Sequence, residues 1–342
     1  MAETEYAMIA SAVRPLDYAL LLGQGRSGTN FLLALLNQSA RTHCRNEPDQ
    51  SDASALASLR PYRFFVDEGD QSAVERLWDE AIFGAAMSFG PRDHIVAHPK
   101  EWLFPGSRRP GFFYLRQRLL AKARFEGTKA MDVGEVRFPG WMTKASRLEK
   151  AFHVFKLNAA VGLATWMFSH RFAARGIHIV RHPGGFVKSW MARWVRGETH
   201  QERGAGNKDT FLDKDRLRAL GQRDETWAVR MGEIEAMGSV EAELWWWRYV
   251  NETIWQQGQA HATYRRLLFE ELAEDPTATT RGVFEFCGLP WTDVVSREVT
   301  KIASGSKKIA RAWKDELAPE VVEIVERVLA DSPMTRWWEG RS

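Results

Sequence analysis

Short apolar runs that end in glycine- or proline-marked turns recur along the chain, and between them apolar residues return at helical spacing. Residues 18–22 are apolar and run into a glycine cluster, and residues 31–36 follow as an apolar segment of helical character. That order predicts a strand, a tight loop and a helix. Two further strands are predicted over 152–157 and 177–180, on either side of a segment, 159–174, whose apolar residues fall at helical spacing. This is the strand-helix-strand grammar of a parallel sheet. A long helix over about 240–257, a strand over 264–269 and a helix from Pro276 to just before Gly288 continue the alternation. The expected fold class is therefore α/β, with a central parallel β-sheet flanked by helices.

Two stretches depart from the pattern. Residues 196–215 are polar, carry three glycines and show little periodicity, which predicts a mobile loop or lid. Residues 108–124 form a basic run broken by Phe112, Phe113 and Tyr114. With no internal repeat or low-complexity tract, one domain over 1–342 is expected. Its core elements fall near 17–47, 152–195 and 262–292, with inserted helices and loops near 50–150 and 196–260. A C-terminal basic loop and helix follow near 300–342.

Composition narrows the chemistry. Hydrophobic residues make up 44% of the 342 and charged residues 27%, the balance of a packed globular protein. Lys plus Arg (47) against Asp plus Glu (44) leaves a formal charge of +3. That is too little for a protein that coats nucleic acid, so no nucleic-acid partner is expected and any anion site must be local. Cys44 and Cys287 lie far apart, outside any C-x-x-C spacing, which fits a reducing compartment. The longest apolar stretches reach about a third of a membrane span, and the first residues lack the basic flank and apolar run of a signal peptide. A cytoplasmic protein with no membrane span is expected.

The strand-helix junction reads Gly23-Gln24-Gly25-Arg26-Ser27-Gly28-Thr29-Asn30. Glycines permit close backbone approach there, and the exposed N–H groups and dipole of a helix start attract a phosphate. A nucleoside triphosphate loop would continue G-K-[ST] after its four-residue gap, with lysine on the outer phosphates and Ser or Thr on magnesium. Here Thr29 and Asn30 follow Gly28, and the cation sits inside the loop at Arg26. A second candidate is Arg181-His182-Pro183 at the end of the strand over 177–180, with Ser189 on the following helix. Arginine at a strand end offers a planar fork to phosphate.

Taken in order, G-x-x-R-S-G-T and R-x-P-x-x-x-x-x-S resemble the 5′-phosphosulfate and 3′-phosphate motifs of the sulfotransferases that use 3′-phosphoadenosine 5′-phosphosulfate (PAPS). Phe269 to Leu272, Asp275-Pro276 and Gly288-Leu289-Pro290-Trp291 resemble that family's closing strand and helix. Ala312 to Leu317 resembles the C-terminal segment of its bacterial members. The resemblance implies a P-loop-NTPase-like sulfotransferase fold with helical insertions. It also implies transfer of a sulfuryl group from PAPS, as co-substrate and without a metal, to a hydroxyl or, second to that, an amine of a glycan or small-molecule acceptor. Gly25, Arg26, Ser27, Gly28, Thr29, Asn30, Arg181 and Ser189 would then hold the donor. Lys307, Lys308 and Trp313 would lie in a C-terminal loop closed over the 3′-phosphate. Arg26, helped by Lys156, would neutralise the leaving phosphate.

An acceptor hydroxyl must lose its proton as the new bond forms, which calls for a positioned base. Glu47, in Arg45-Asn46-Glu47-Pro48 just past the first helix, resembles in placement the catalytic glutamate of the tyrosylprotein and carbohydrate branches. His98 is the competing base. The K-x-H of cytosolic members falls on Lys156-Leu157-Asn158, where asparagine stands for histidine, and this departure favours Glu47. Two other classes stay open from sequence: a P-loop-type kinase and a non-catalytic nucleotide-binding module. Fifteen tryptophans include Trp245-Trp246-Trp247, which on a helix point about 100° apart and cannot all face one ligand.

Overall fold

The computed structural model describes residues 16–90, 93, 100–105, 136–195 and 213–339. Five parallel strands form the main sheet: β1 (Tyr18–Gly23), β2 (Thr42–Asn46), β5 (Phe152–Asn158), β6 (Arg175–Val180) and β7 (Tyr264–Leu268), in the order β2-β5-β1-β6-β7. A second pairing joins the two-residue strands β3 (Ser88–Phe89) and β4 (Val136–Arg137) antiparallel. β1 lies at the centre of the main sheet, in register with β5 from Tyr18↔His153 to Gly23↔Asn158.

Both faces of the sheet are covered, which is why the central strand β1 reads as a continuous apolar run rather than an alternation. Leu20, Leu22, Phe155, Leu157 and Val180 face one core, with helices α2 (Gln71–Ala86), α4 (Val161–His170) and α8 (Ser239–Gly258). Ala19, Leu21, Val154, Ile177 and Ile179 face the other, with α1 (Thr29–Leu36), α9 (Phe269–Glu274), α10 (Pro276–Phe286) and α11 (Asp293–Ile302). The remaining helices are α3 (Ala145–Leu148), α5 (Pro183–Val195), α6 (Asp213–Arg223), α7 (Glu225–Met231), α12 (Ser306–Arg311), α13 (Trp313–Glu316) and α14 (Pro319–Leu329). Residues 213–215, expected within a loop, open α6.

The edge strand β2 has no apolar run, and the pattern of the sequence does not predict it. Its polar side chains are buried by pairing instead. Arg45, fully buried, meets Asp93 at 2.7 Å and donates to the Ser88 carbonyl, and His43 Nδ1 lies 3.2 Å from His153 Nδ1. The three consecutive tryptophans are all buried. They diverge around α8, which is packed on several sides by α4, α5, α6, α14 and the sheet.

Burial makes the fold acid-sensitive. Desolvation pushes the imidazoles of His153 and His178 down to about 4, whereas in the unfolded chain a histidine titrates near 6.5. Between those values the unfolded state binds more protons, so stability is complete above about pH 6.5 and falls as pH drops toward 4. At pH 5 each histidine is expected to cost on the order of 2 kcal/mol. Calorimetric melting should move downward between pH 7 and 5, and an unchanged Tm would mean that both rings protonate in place.

Candidate functional site

The C-terminal ends of the parallel strands are where α/β sheets place their ligand sites, and the predicted residues gather there in three groups. The first is the loop after β1. Ser27 N donates to the Gln24 carbonyl at 3.1 Å, and Arg26 adopts left-handed backbone with φ +74°. Gly28, also left-handed at φ +94°, caps α1, and a Cβ there would lie 2.4 Å from the Phe269 ring. Thr29 and Asn30 begin the helix, whose first turn has no acidic residue. Ser27 is fully buried and its hydroxyl has no hydrogen-bond partner among the described residues. Buried hydroxyls are ordinarily paired, so an orphan just before the start of α1 suits an anionic group supplied by a ligand.

The second group surrounds Arg181, which follows β6 and is 5% exposed. Its Nη1 donates to the Arg26 carbonyl at 3.3 Å and its Nη2 to the Ile309 carbonyl at 3.0 Å, and its guanidinium lies 4.7 Å from the Phe269 ring centre. Desolvation pushes its pKa down to about 10, which leaves it cationic at neutral pH. Ser189, on α5, accepts from Arg26 Nε at 3.0 Å. The two sequence motifs therefore meet at Arg26. His182 donates its backbone N–H to Glu270 Oε1 at 3.0 Å and stacks on Trp313 at 4.0 Å. Burial pushes its imidazole down to about 3, so this ring is neutral.

The basic cluster contributes differently from expectation. Lys307 pairs with Glu274 at 2.9 Å, and Arg311 meets the same carboxylate at 3.0 Å. Lys308 is exposed. What reaches Arg181 from this segment is the Ile309 carbonyl, and Trp313 reaches the neighbouring His182.

The third group lies at the ends of β2 and β5. Glu47 does not follow the first helix directly, because β2 intervenes; it leaves that strand in left-handed backbone at φ +51°. Lys156, with its side chain 1% exposed, donates to Asn30 Oδ1 at 2.7 Å, Asn46 Oδ1 at 2.8 Å and Glu47 Oε1 at 2.8 Å. Asn158 Nδ2 donates to the same Glu47 oxygen, and its Oδ1 accepts from Thr29 Oγ1 at 3.0 Å. Lys156 and Asn158 thus tie Glu47 to the first turn of α1. The ammonium expected to face the donor has protein acceptors for three N–H bonds, one of them Glu47. Asn46 was not foreseen, and no motif marks it. His98 and residues 108–124 and 196–212 lie outside the described residues. Among the described residues no group of three or more His, Cys, Asp or Glu could hold a metal ion. No helix among them is long and apolar enough to cross a membrane.

A family model described as "Sulfotransferase family" matches residues 19–293, which includes all three groups up to α11. The chain belongs to the sulfotransferase family. No curated protein sequence matches it. Among solved structures it resembles the sulfotransferase domain from the curacin biosynthetic pathway at 12% identity and a TM-score of 0.46, with 93% of this chain and 97% of that one covered. It also resembles a sulfotransferase from Alicyclobacillus acidocaldarius at 16% identity and a TM-score of 0.38, with 91% and 100% covered. A mouse sulfotransferase complexed with PAP matches at 11% identity and a TM-score of 0.41, with 98% and 93% covered. In this sulfotransferase, Lys307, Lys308 and Trp313 lie beyond the family match, whereas Arg26, Glu47, Lys156, Arg181 and Ser189 lie within it.

Proposed function

We propose that this sulfotransferase takes its sulfuryl group from PAPS and passes it to a hydroxyl of a carbohydrate or small-molecule acceptor, with Glu47 as general base. The observation that carries this reading is the attachment of Glu47, through Lys156 and Asn158, to the helix that follows the anion loop. A base and a phosphate cradle fixed to one another suit an in-line transfer, in which positioning and electrostatic stabilisation supply most of the rate. The N–H groups at 27–30 and the orphan Ser27 hydroxyl suit the 5′-phosphosulfate. Arg26 is assigned to neutralise the charge that develops on the leaving phosphate. Arg181 and Ser189 suit the 3′-phosphate. Glu47 takes the acceptor proton as the new S–O bond forms and the bond to the 5′-phosphate breaks.

A ligand that binds the native state raises its melting temperature, by about 2.7 kcal/mol of stabilisation at a hundredfold excess over Kd. The desulfated product 3′-phosphoadenosine 5′-phosphate (PAP) is expected to raise Tm, and ATP with magnesium is not. The reverse order would favour a kinase. Transfer of label from radiolabelled PAPS then separates an enzyme from a non-catalytic nucleotide-binding module.

A further inference from the structure

Two residues with a Cβ hold left-handed backbone at the ends of neighbouring strands, Glu47 (φ +51°) after β2 and Ala159 (φ +52°) after β5. Such a conformation costs roughly 1–2 kcal/mol per residue and persists where the surroundings fix it. One side chain reaches both places. Arg63, 5% exposed, donates through Nε to the Asn158 carbonyl at 2.8 Å, and its Nη2 donates to the same oxygen. That grip falls on the peptide that leads into Ala159. The same Nε lies 3.5 Å from Oδ2 of Asp49, a fully buried carboxylate in the 3-10 turn Pro48–Gln50 directly after Glu47.

Backbone packing holds Arg63 in this position. Its carbonyl accepts from Gly162 N at 3.0 Å, and a Cβ on Gly162 would stand 2.6 Å from the Tyr62 oxygen and 2.7 Å from Phe65 N. Glycine at the start of α4 therefore admits the 62–65 segment. A buried Arg-carboxylate pair is weak evidence for stability, because desolvation offsets most of its attraction. A pair serving stability alone would also have no need of the second grip, on the peptide next to the amide that holds Glu47.

Taking Glu47 as the base, we infer that Arg63 is a positioning residue for sulfuryl transfer. It locks together the two strand ends that carry Glu47 and Asn158, so the Asn158 amide stays on the carboxylate that receives the proton.

The test uses release of labelled sulfate from PAPS under single-turnover conditions, with enzyme in excess and water as the acceptor. R63K keeps the charge beside Asp49 but loses the two-nitrogen fork. Misplacing reacting groups by about 1 Å costs about a hundredfold, so R63K is expected to slow release by roughly 30- to 100-fold. PAP affinity should stay within about twofold, because the Arg63 contacts described above fall on the Asn158 carbonyl and Asp49, outside the residue 23–30 loop. The acid limb of the rate profile should move to higher pH, since Glu47 loses the Asn158 amide, a donor that favours its charged form. In an E47Q background, R63K should add less than about threefold, because it acts through the base. The double variant D49L/R63M removes both buried charges together, and it should stay as slow as R63K. A near-normal R63K with an unmoved acid limb, full additivity with E47Q, or recovery of rate in D49L/R63M would each overturn the inference. Near-normal release by E47Q would remove the base itself and this inference with it, whereas a slow E47Q beside a fast R63K removes Arg63 alone.

Discussion

Replacing Glu47 with glutamine is expected to slow sulfuryl transfer by about a thousandfold, the middle of the range for loss of a general base. Glutamine keeps an oxygen where Glu47 Oε1 accepts from Lys156 and Asn158, so the geometry is preserved while the basicity disappears. Donor affinity should hardly move, because Arg26, Arg181, Ser189 and the loop amides stay in place. A small tightening for PAP is the more natural direction, since the buried Lys156 ammonium loses its anionic neighbour and attracts the phosphates more. Single-turnover rates together with calorimetric titration of PAP separate the two quantities. A rate within about tenfold of wild type would exceed what an essential base allows, and would return His98 to consideration.

Arg181→Ala is expected to weaken PAP binding by about a hundredfold, or roughly 2.7 kcal/mol. A hydrogen bond to a charged group is worth about 1.5–3 kcal/mol, and Arg181 also steadies the loop through the Arg26 carbonyl. The variant loses the tie to Ile309 as well, so a fall in Tm is expected and says nothing about the nucleotide. The decisive readout is a ratio. Wild type should prefer PAP to AMP strongly, because only PAP has a 3′-phosphate, and the variant should lose most of that preference, with only the smaller loss for AMP that a slackened loop brings. Equal loss for both nucleotides, or no loss for either, would place the 3′-phosphate elsewhere.

The sheet was legible wherever its strands are filled mainly by apolar side chains. β1 read directly from its apolar run and following glycines, and β5, β6 and β7 from their apolar positions, although Phe269, expected at the end of β7, opens α9. β2 was illegible because Arg45 and His43 are buried through Asp93 and His153, partners distant in sequence that no periodicity encodes. That gap led to the expectation that Glu47 directly follows a helix. The two candidate phosphate motifs were legible because each sits on one strand-helix junction. Their meeting at Arg26 was not, since it depends on the register of β1 beside β6. The same limit hid Asn46 and Arg63, single polar residues whose significance comes from what the fold brings beside them. Lys307 pairs with Glu274 from a separate helix, a contact that its local basic pattern does not encode.

The central place of β1 bears on how the polypeptide matures on the ribosome. Its hydrogen-bonding neighbours β5 and β6 lie more than a hundred residues downstream. At about 5–20 residues per second, roughly 7–27 s pass between the synthesis of β1 and the end of β5. Throughout that interval a greasy segment emerges with both edges unsatisfied, a natural target for holding chaperones. Yield in a heterologous host should therefore depend more on translation speed and chaperone supply across the first half of the message than on the melting temperature of the finished enzyme.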